Sequence, residues 1–465
     1  MPEIGNPEAD RLFSPIDFSG GAIVAVSGGS DSTALLLLLK RYLDRALPAA
    51  RLLAVTVDHG LRPESADEAK TVARLCARHL VPHMILPWEG AKPATGLPAA
   101  ARDARYRLIA QAARQEGIGM VLTGHTADDQ AETVLMRGAR MAGAAGDERG
   151  LAGMAPATLY DGDLWIVRPL LGTRRAALRG WLAGEGVGWS DDPTNENTLF
   201  ERPRLRVALG VAGKAEFGAA LATAARAAEA RIDLGRRAAA LIRAHARRPV
   251  AGLLRLAPVL LAEPDRPAML HALRILIATA GGSRFLPDHA RTAALLERIA
   301  GAHSRQPLRA TLSHAVIDRR GAGLFLHRER RALPPAVPVN DGMVWDGRYR
   351  ITACDGGGGF LIAAGGMAAA ARSGPEADDA PTSLARAALV AEPAIFAAES
   401  GLSEHGSGAA EPLPATVLPV AAPFAQFLSC FDLAPARAVA ELVGAAAVLE
   451  PPWAGHIDPR PWPGA

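Results

Sequence analysis

The stretch from Ala22 to Thr33 reads AIVAVSGGSDST and combines residue types that could bind an anion. Its apolar run, Ile23–Val26, is typical of a buried parallel strand, and the leucine-rich residues after it have the composition of a helix. A helix that begins directly after a strand presents free N–H groups and the positive end of its dipole to an anion. Adjacent glycines let the backbone approach that ligand closely, and three serines add hydroxyl donors. Asp31 is an unusual neighbour for an anion unless a metal lies between them, and phosphates usually bring Mg²⁺.

This segment differs from the commoner phosphate-binding loops. The chain contains no G-x-x-x-x-G-K-[ST] sequence, and no G-x-G-x-x-G follows a strand. An ordinary glycine turn between a strand and a helix is the alternative explanation.

Two further polar clusters follow predicted strands. Asp58 and His59 come after the strand Leu52–Val57, where a capping aspartate in a turn would be equally natural. The sequence GHTADDQAET, residues 124–133, comes after the strand Met120–Thr123.

The second cluster is acidic. In a helix, Asp128 and Asp129 lie four and three residues before Glu132, so the carboxylates would gather near one side. Like charges at that distance repel unless a cation lies among them, and a Mg²⁺ ion or a substrate ammonium would serve. A solvated helix start is the alternative, because acids favour the first turn. His125 has the chemistry of a general acid/base or of a phosphate donor, although a lone histidine is more often structural.

The order of these elements predicts an α/β fold with a doubly wound parallel sheet. Such a sheet binds ligands at the carboxyl ends of its strands, so the three clusters are expected to share one cleft. We expect the Gly- and Arg-rich residues 135–154 to form a mobile loop over that cleft and residues 1–20 to form a tail. The remaining predicted elements of this region are the strands His83–Leu86 and Leu164–Val167 and the helices Glu64–His79 and Ala99–Glu116.

Composition bounds the class of protein. The 465 residues are 49% hydrophobic and 21% charged, which suits sizeable cores and about three domains. The net charge of +3 is too small to indicate a polyanionic partner by itself. Between Arg202 and Arg255, however, eleven arginines and one lysine face three acids, a net charge of +9 in a helical pattern. This stretch could bind a phosphate backbone, with a solvated face in an arginine-biased protein as the simpler alternative.

The cysteines and the apolar runs predict a location. Cys76, Cys354 and Cys430 lie far apart, so they form no disulfide framework and no C-x-x-C pair. There is no apolar signal segment and no run approaching the roughly 20 residues of a membrane span. A reduced, cytoplasmic setting is therefore expected.

Three domains are predicted along the chain. Residues 1–214 are expected to form the catalytic domain and residues 215–335 a mainly helical, basic domain. Residues 336–465 are expected to form a small C-terminal region of mixed or β structure with flexible Gly/Ala/Pro-rich segments. Leu256–Ile299 is expected to be helical, and Leu308–Leu326 is expected to hold two strands.

Taken in order, the motifs resemble those of the bacterial tRNA(Ile)-lysidine synthetases, members of the PP-loop or N-type ATP pyrophosphatase superfamily. The matching stretches are SGGSDS (27–32), VDHGLR (57–62), ARDARYRL (101–108), GHTADDQAET (124–133), GLAGM (150–154), RPLL (168–171) and WSDDPTNENTLFERPRLR (189–206). SGGSDS and HTADDQAET occur across the superfamily. VDHGLR combined with GLAGM, RPLL and DPTN is much more specific to the family.

The resemblance implies a ligase that acts on the tRNA(Ile) with a CAU anticodon. Enzymes of this family activate C2 of the wobble cytidine with ATP, releasing pyrophosphate, and the ε-amine of free L-lysine then displaces AMP. The product, lysidine, pairs with A instead of G, which changes the codon read from AUG to AUA and the tRNA identity from methionine to isoleucine. ATP and Mg²⁺ are the implied cofactors, tRNA and lysine are the implied partners, and no membrane partner is implied. The oligomeric state stays open, a homodimer included.

The resemblance also implies roles for single residues. Asp31 would hold Mg²⁺, with Asp128 nearby for the metal or for positioning the backbone. Asp129 and Glu132 would receive the lysine ammonium, because a compact cation with three donors needs such a pair. The attacking amine must lose a proton, which a carboxylate or His125 could take. The residues implied in ATP binding are Ser27, Gly28, Gly29, Ser30, Asp31, Ser32, Asp58 and His59, and those implied to steady the phosphates are Arg204 and Arg206.

Two features depart from the family pattern. The loop before GLAGM is lengthened by residues 144–149. Pro203 stands where the family usually has an asparagine, so any contact made by that amide is in doubt.

Two other functions compete with this hypothesis. A tRNA thiolase of the same superfamily would need sulfur carriage, commonly by paired cysteines, and the three cysteines offer no such pair. A non-catalytic, nucleotide-gated RNA-binding protein would have no use for an intact acidic cluster and would release no pyrophosphate.

Overall fold

In the computed structural model the chain folds into two units. The first unit consists of residues 1–231 with 429–431 and 449–465, and the second of residues 232–428 with 432–448. The structure describes residues 5–62, 64–141, 147–190, 214–301, 308–353, 359–367, 371, 380–397 and 415–453.

The first unit contains a mainly parallel sheet. Its strands are β1 (Ala22–Ala25), β2 (Leu52–Asp58), β3 (His83–Pro87), β4 (Met120–Thr123), β5 (Ala157–Tyr160) and β6 (Leu164–Val167). They lie in the order β5-β6-β4-β1-β2-β3, and only the β5–β6 pair is antiparallel. The chain runs outward from β1 to β3 and then returns to the other side of β1, so the order reverses between β1 and β4. This arrangement confirms the predicted doubly wound sheet, whose ligand site is expected at that reversal.

Among the described residues before 191, six α-helices accompany these strands. They are α1 (Asn6–Phe13), α2 (Ser30–Ala46), α3 (Ser65–Arg78), α4 (Leu97–Glu116), α5 (Ala127–Met141) and α6 (Arg175–Gly184). Strand β1 is buried at Ile23 and Val24, and α2 buries five consecutive leucines, Leu35–Leu39. A parallel strand needs such a near-continuous apolar sequence because helices cover both faces of the sheet, and the helix that packs on it is apolar where it contacts the sheet.

The end of β4 lies directly against the start of α2. A Cβ atom built on Gly124 would lie 2.8 Å from the backbone nitrogen of Ser32 and 2.9 Å from the carbonyl carbon of Asp31. Only a residue without a side chain allows this approach. Gly124 therefore brings the segment after β4 next to the loop after β1.

Two expectations for the first unit were wrong. Residues 6–13 form α1, whose Leu12 and Phe13 are buried, with the Phe13 ring 5.6 Å from that of Tyr42. Eight residues give too little periodicity to distinguish a helix from a tail. The predicted mobile loop 135–154 instead continues α5 as far as Met141 and resumes as a 3-10 helix at Glu148–Ala152. Residues 142–146 lie outside the described part of the chain.

A 32-residue helix, α7 (Lys214–His245), begins in the first unit and ends in the second. Near its start, Phe217, Ala220 and Ala224 pack against Ala131 and Val134 of α5. The helix is thus anchored on the element that carries the acidic cluster.

The second unit contains a five-stranded antiparallel sheet and further helices. The sheet comprises β7 (Ala246–Val250), β8 (Leu253–Leu256), β9 (Leu308–Leu312), β10 (Ala315–Arg320) and β11 (Gly323–Arg328), in the order β7-β8-β11-β10-β9. The helices are α8 (Arg266–Gly281), α9 (His289–Gly301), α10 (Thr382–Leu389) and α11 (Leu433–Val443).

Six more strands described in this unit form two small sheets. One comprises β12 (Val337–Pro338), β15 (Phe360–Ala364) and β16 (Pro393–Ala397), and the other β13 (Val344–Trp345), β14 (Tyr349–Ala353) and β17 (Ala415–Pro419). A short strand, β18 (Phe427–Ser429), precedes α11; it adjoins β5 as the edge strand of the first unit's sheet, and its last residue belongs to that unit.

Two strands were predicted within Leu308–Leu326, and the structure has three in this region, β9, β10 and β11. The unexpected turn lies at Ser313 and His314, whose φ angles of 47° and 63° are in the left-handed region. Glycine or asparagine usually marks such a turn, and neither is present, so the sequence carried no signal for it.

Several arginines of the basic stretch have acidic partners. Arg237 pairs with Asp233 and Asp265, and Arg243 pairs with Glu441. Part of the local excess of positive charge is therefore balanced within the second unit. No helix in the described ranges is both long enough and apolar enough to cross a bilayer.

We predict that Gly124→Ala lowers the free energy of unfolding by about 1–3 kcal/mol, because the added methyl group would overlap backbone atoms of α2. Gly119→Ala, at the opposite end of β4, is the matched control, since its Cβ would meet one atom only, at 3.8 Å. Urea unfolding of both variants measures the difference. Equal stability of the two variants would show that the backbone near Gly124 shifts at little cost to accommodate the methyl group.

Candidate active site

The loop Ser27–Ser32 joins β1 to α2 and is shaped by its own side chains. The Ser32 hydroxyl accepts a hydrogen bond from the Ser27 N–H at 3.1 Å and donates one to the Gly29 carbonyl, also at 3.1 Å. Gly28 has a φ of +85°, which favours glycine. Helix α2 begins at Ser30 with no side-chain cap on its preceding residue, Gly29. Its first N–H groups are therefore arranged to receive an anion.

The acidic cluster lies beside this loop, around one guanidinium. Arg175, at the start of α6, donates from Nε to Asp31 Oδ2 at 2.7 Å and from Nη2 to Asp129 Oδ1 at 2.9 Å. Its Nη1 is 4.0 Å from Glu132 Oε1. Glu132 is only 1% exposed, so its carboxylate is buried next to this cation. The structure thus brings together Asp31, Asp129 and Glu132, as the sequence predicted, and adds a residue that it did not.

The pKa values of the two aspartates move in opposite directions. Burial raises the pKa of Asp31, and the nearby Arg175 charge only partly offsets this. Burial also acts to raise the pKa of Asp129, but the Arg175 charge and the hydrogen bond from the Thr126 N–H outweigh it, so that pKa is lowered. Asp129 accepts from both the N–H and the hydroxyl of Thr126 at 2.9 Å. Asp129 is therefore the more firmly ionised of the two.

Asp128 serves a different contact. Its carboxylate accepts from the Arg175 backbone N–H at 2.8 Å and from the Arg174 guanidinium at 3.2 and 3.3 Å. It therefore caps the first turn of α6 from the neighbouring helix. Of the two roles implied for Asp128, positioning of the backbone agrees with this geometry.

His125 lies between β4 and α5, with its Nδ1 2.9 Å from the Thr123 hydroxyl. Burial, and then the positive charge of Arg168, hold its pKa far below the ordinary value. The imidazole is therefore neutral near pH 7 and a weak base there.

Asp58 is the last residue of β2 and His59 follows it; β2 lies next to β1 on the side away from β4. Asp58 Oδ1 accepts from the Gly60 N–H at 2.9 Å, which fixes the turn. The His59 ring meets the edge of Trp88, with centroids 5.9 Å apart, and burial lowers the pKa of His59. Its Nδ1 is buried and has no hydrogen-bond partner within the described residues. Since β4, β1 and β2 are adjacent, the three predicted clusters do share one edge of the sheet.

The GLAGM segment is fixed to α5. Gln130 accepts from the Met154 N–H at 2.7 Å and donates to the Met154 carbonyl at 3.1 Å. Arg137, two turns later, donates to the carbonyls of Gly150 and Gly153 at 2.8 and 2.9 Å. A Cβ on Gly153 would lie 2.6 Å from Gln130 Oε1, so this close pairing requires glycine.

The sequence reasoning missed the arginines of α6. Arg174 and Arg175 begin a helix, where the dipole disfavours cations, and that unfavourable placement was the available signal. Arg179, on the same helix, donates to the Ser30 hydroxyl at 3.2 Å. Arg204 and Arg206, which the sequence suggested for phosphate contacts, lie outside the described residues. No group of three or more His, Cys, Asp or Glu with metal-site geometry occurs in the part of the chain that was described.

Several known proteins are similar to this chain. The family model of the PP-loop domain matches residues 6–212. A tRNA(Ile)-lysidine synthase from Mesorhizobium japonicum is 57% identical over 451 residues, 96% of this chain and 97% of the relative. One from Brucella melitensis is 43% identical over 349 residues, 73% of this chain and 76% of the relative. Among solved structures, the U34-tRNA thiolase NcsA from Methanococcus maripaludis has a TM-score of 0.40 and 15% identity, over 47% of this chain and 76% of that chain.

We predict that Gln130→Ala will release Met154 from α5, because both hydrogen bonds to its backbone are lost. The expected cost is about 1–3 kcal/mol, since partly buried backbone groups are left unpaired. Hydrogen exchange at the Met154 amide should accelerate. Gln111→Ala, on the exposed face of α4, is the control and should leave that amide unchanged. Undiminished protection in Gln130→Ala would mean that the segment is held by other contacts.

We also predict that His125 contributes to the pH dependence of stability. Its folded-state pKa is lowered, so below about pH 6.5 the unfolded chain binds a proton at His125 that the folded chain does not. Stability from this residue is therefore complete above that pH and is lost as the pH falls. His125→Gln should show a smaller drop in free energy of unfolding between about pH 7 and pH 5. An identical drop in both proteins would contradict the prediction.

Proposed function

Since the chain belongs to the tRNA(Ile)-lysidine synthase family, we propose that it ligates L-lysine to C2 of the wobble cytidine of the tRNA(Ile) with a CAU anticodon. The reaction consumes ATP, passes through an adenylated cytidine and gives lysidine, AMP and pyrophosphate. The observation that carries the proposal is the acidic pair of half-buried Asp129 and buried Glu132 beside Asp31 of the anion loop.

The PP-loop, Ser27–Ser32, is the proposed site for the pyrophosphate end of ATP. The uncapped start of α2 and the serine hydroxyls supply neutral donors for it. The adenosine is assigned to the end of β2. There His59 Nδ1 is a buried atom without a partner in the described residues, and Trp88 supplies an apolar surface.

The oxygen-rich donors around Asp31 fit one Mg²⁺ ion. Mg²⁺ is usually held by one or two carboxylates together with substrate phosphates, so a single aspartate beside a phosphate site suffices. Asp31 Oδ1 faces the Ser30 hydroxyl at 3.1 Å, which places hard oxygen donors together. When bound, the ion would neutralise charge on the phosphates. Asp128 is assigned instead to holding α6, because its oxygens accept from Arg174 and Arg175.

Two displacements make up the proposed reaction. In the first, the oxygen on C2 of the cytidine attacks the α-phosphate of ATP and pyrophosphate leaves. In the second, the lysine Nε attacks C2, the C2–O bond breaks, and AMP departs with that oxygen. The PP-loop donors hold the leaving pyrophosphate in the first step, and the acidic pair orients the amine for the second.

Lysine enters as an ammonium and must react as an amine. Asp129 and Glu132 would bind the ammonium, because charge-assisted hydrogen bonds to carboxylates are strong. The proton must then leave, and the lowered pKa of His125 makes its neutral imidazole a weak acceptor for it. We assign proton removal to the buried Glu132 instead.

Positive residues near the site suit a tRNA substrate. Arg102 and Arg105 are exposed on α4, and their charges contribute to the lowered pKa of His125. We assign them, with the arginines of α7, to contacts with the phosphate backbone. Arg204 and Arg206 remain proposed phosphate contacts of the reacting nucleotide. We propose that the reaction takes place in the cytoplasm.

The decisive test is transfer of labelled lysine to a tRNA(Ile) transcript with a CAU anticodon, with and without ATP, beside a tRNA(Met) control. ATP-dependent labelling of the first tRNA alone is the expected result. ATP cleavage to AMP and pyrophosphate without labelling would reject lysine as the nucleophile. Absence of both reactions would favour a non-catalytic RNA-binding protein.

We predict that Glu132→Gln separates the two steps. tRNA-dependent pyrophosphate release should persist, whereas lysine transfer should fall by about 100-fold or more, because the amine loses a carboxylate that binds it or removes its proton. Glu185→Gln, which removes a surface partner of Arg41, is the control and should retain both steps. Wild-type lysine transfer in Glu132→Gln would reject this assignment.

A further inference from the structure

Arg175 occupies the space between the nucleotide loop and the acidic pair. Its Nε reaches Asp31 Oδ2 at 2.7 Å, its Nη2 reaches Asp129 Oδ1 at 2.9 Å, and its Nη1 lies 4.0 Å from Glu132. Each nitrogen of the guanidinium thus faces a different carboxylate. The backbone of Arg175 is itself fixed, because its N–H is held by Asp128 at 2.8 Å.

The contact with Asp129 uses the oxygen that a ligand would need. Asp129 Oδ2 already accepts from the N–H and the hydroxyl of Thr126, both at 2.9 Å. Oδ1 is the oxygen that accepts from Arg175. An ammonium that approaches Oδ1 therefore meets a guanidinium of the same charge on the same atom.

The contact with Asp31 ties this arrangement to the nucleotide loop. Asp31 belongs to the first turn of α2, whereas Asp129 and Glu132 belong to α5. Among the described residues, Arg175 is the cation that bridges the two elements by direct ion pairs. A ligand that engages Asp31 removes one of the two close partners of the guanidinium.

We propose that Arg175 is a positioning residue that closes the lysine site in the absence of nucleotide and makes lysine binding depend on nucleotide binding. This inference rests on the proposed function. Without nucleotide, the guanidinium holds Asp129 and excludes the ammonium. Once Asp31 is engaged at the nucleotide site, the guanidinium is held less firmly and lysine can compete for Asp129. The free amino acid is thereby kept out until a site that can activate the cytidine has formed.

The test is calorimetric titration of lysine into the full-length protein, with and without the Mg²⁺ complex of the non-hydrolysable analogue AMPCPP. In the wild type, the analogue should tighten lysine binding by about 5- to 150-fold, the usual range for coupled sites. In Arg175→Gln, this factor should fall towards one because lysine affinity without the analogue rises. By linkage, the effect of lysine on AMPCPP affinity should fall by the same factor.

Two further variants control the experiment. Arg114→Gln also removes an arginine that bridges two aspartates, Asp161 and Asp163, but on the surface of α4, and it should keep the wild-type factor. Arg175→Lys keeps one positive charge with fewer donors and should give an intermediate factor. It also serves as the test variant if Arg175→Gln does not fold.

Several outcomes would overturn the proposal. One is an equal lysine affinity with and without AMPCPP in the wild type, and this needs no variant. Another is an unchanged factor in Arg175→Gln. A third is weaker lysine binding in that variant in both states, which would show that Arg175 only organises the carboxylates. If the wild type binds no lysine in any state and also fails the lysine-transfer assay, the proposed function itself fails.

Discussion

The ion pairs of Arg175 are the interaction on which the arrangement of the site depends. Asp31, Asp129 and Glu132 are partly or fully buried, and carboxylates in such a place repel one another and lose hydration. A single guanidinium with three donor directions compensates for both effects, which a lysine could not do as well. Because its partners come from α2 and α5 while it belongs to α6, these pairs also fix three elements relative to one another. The same ion pairs therefore allow the acids to be buried and hold the three helices in alignment.

Helix α5 connects this group of ion pairs to other parts of the first unit. At its start it presents the acids to the anion loop. Further along, Gln130 and Arg137 hold the GLAGM segment by its backbone, and Ala131 and Val134 pack against the beginning of α7. The site, the segment beside it and the long helix all meet on one element. A displacement of α5 would therefore affect all three together.

Much of this site could be predicted from the sequence because its parts are local patterns. The strand–loop–helix signal of SGGSDS and the spacing of the acids in DDQAET were sufficient to predict the sheet and the shared edge. For Arg175, the local sequence offers only the unfavourable placement of a cation at a helix start; its partner Asp31 lies 144 residues away, and no local pattern identifies so distant a partner. The helix α1 and the turn at Ser313 and His314 were missed for another reason, since one is too short and the other lacks glycine. Local sequence patterns predict helices and strands, whereas contacts between residues distant in the sequence are seen only in the folded structure.

The two adjacent aspartates of DDQAET have different structural roles. Neighbouring residues of a helix point in directions about 100° apart, so Asp128 and Asp129 cannot face the same ligand equally. Asp128 faces the start of α6 and accepts the Arg175 N–H, whereas Asp129 faces inward to the guanidinium of the same residue. One aspartate thus fixes the backbone of Arg175 and the other fixes its side chain. Glu132, one turn later, is on the same side as Asp129 but at 4.0 Å, too far for a hydrogen bond to that cation. Asp128 and Asp129 therefore fix the position of the Arg175 guanidinium. Glu132 lies beside this guanidinium but is not hydrogen-bonded to it.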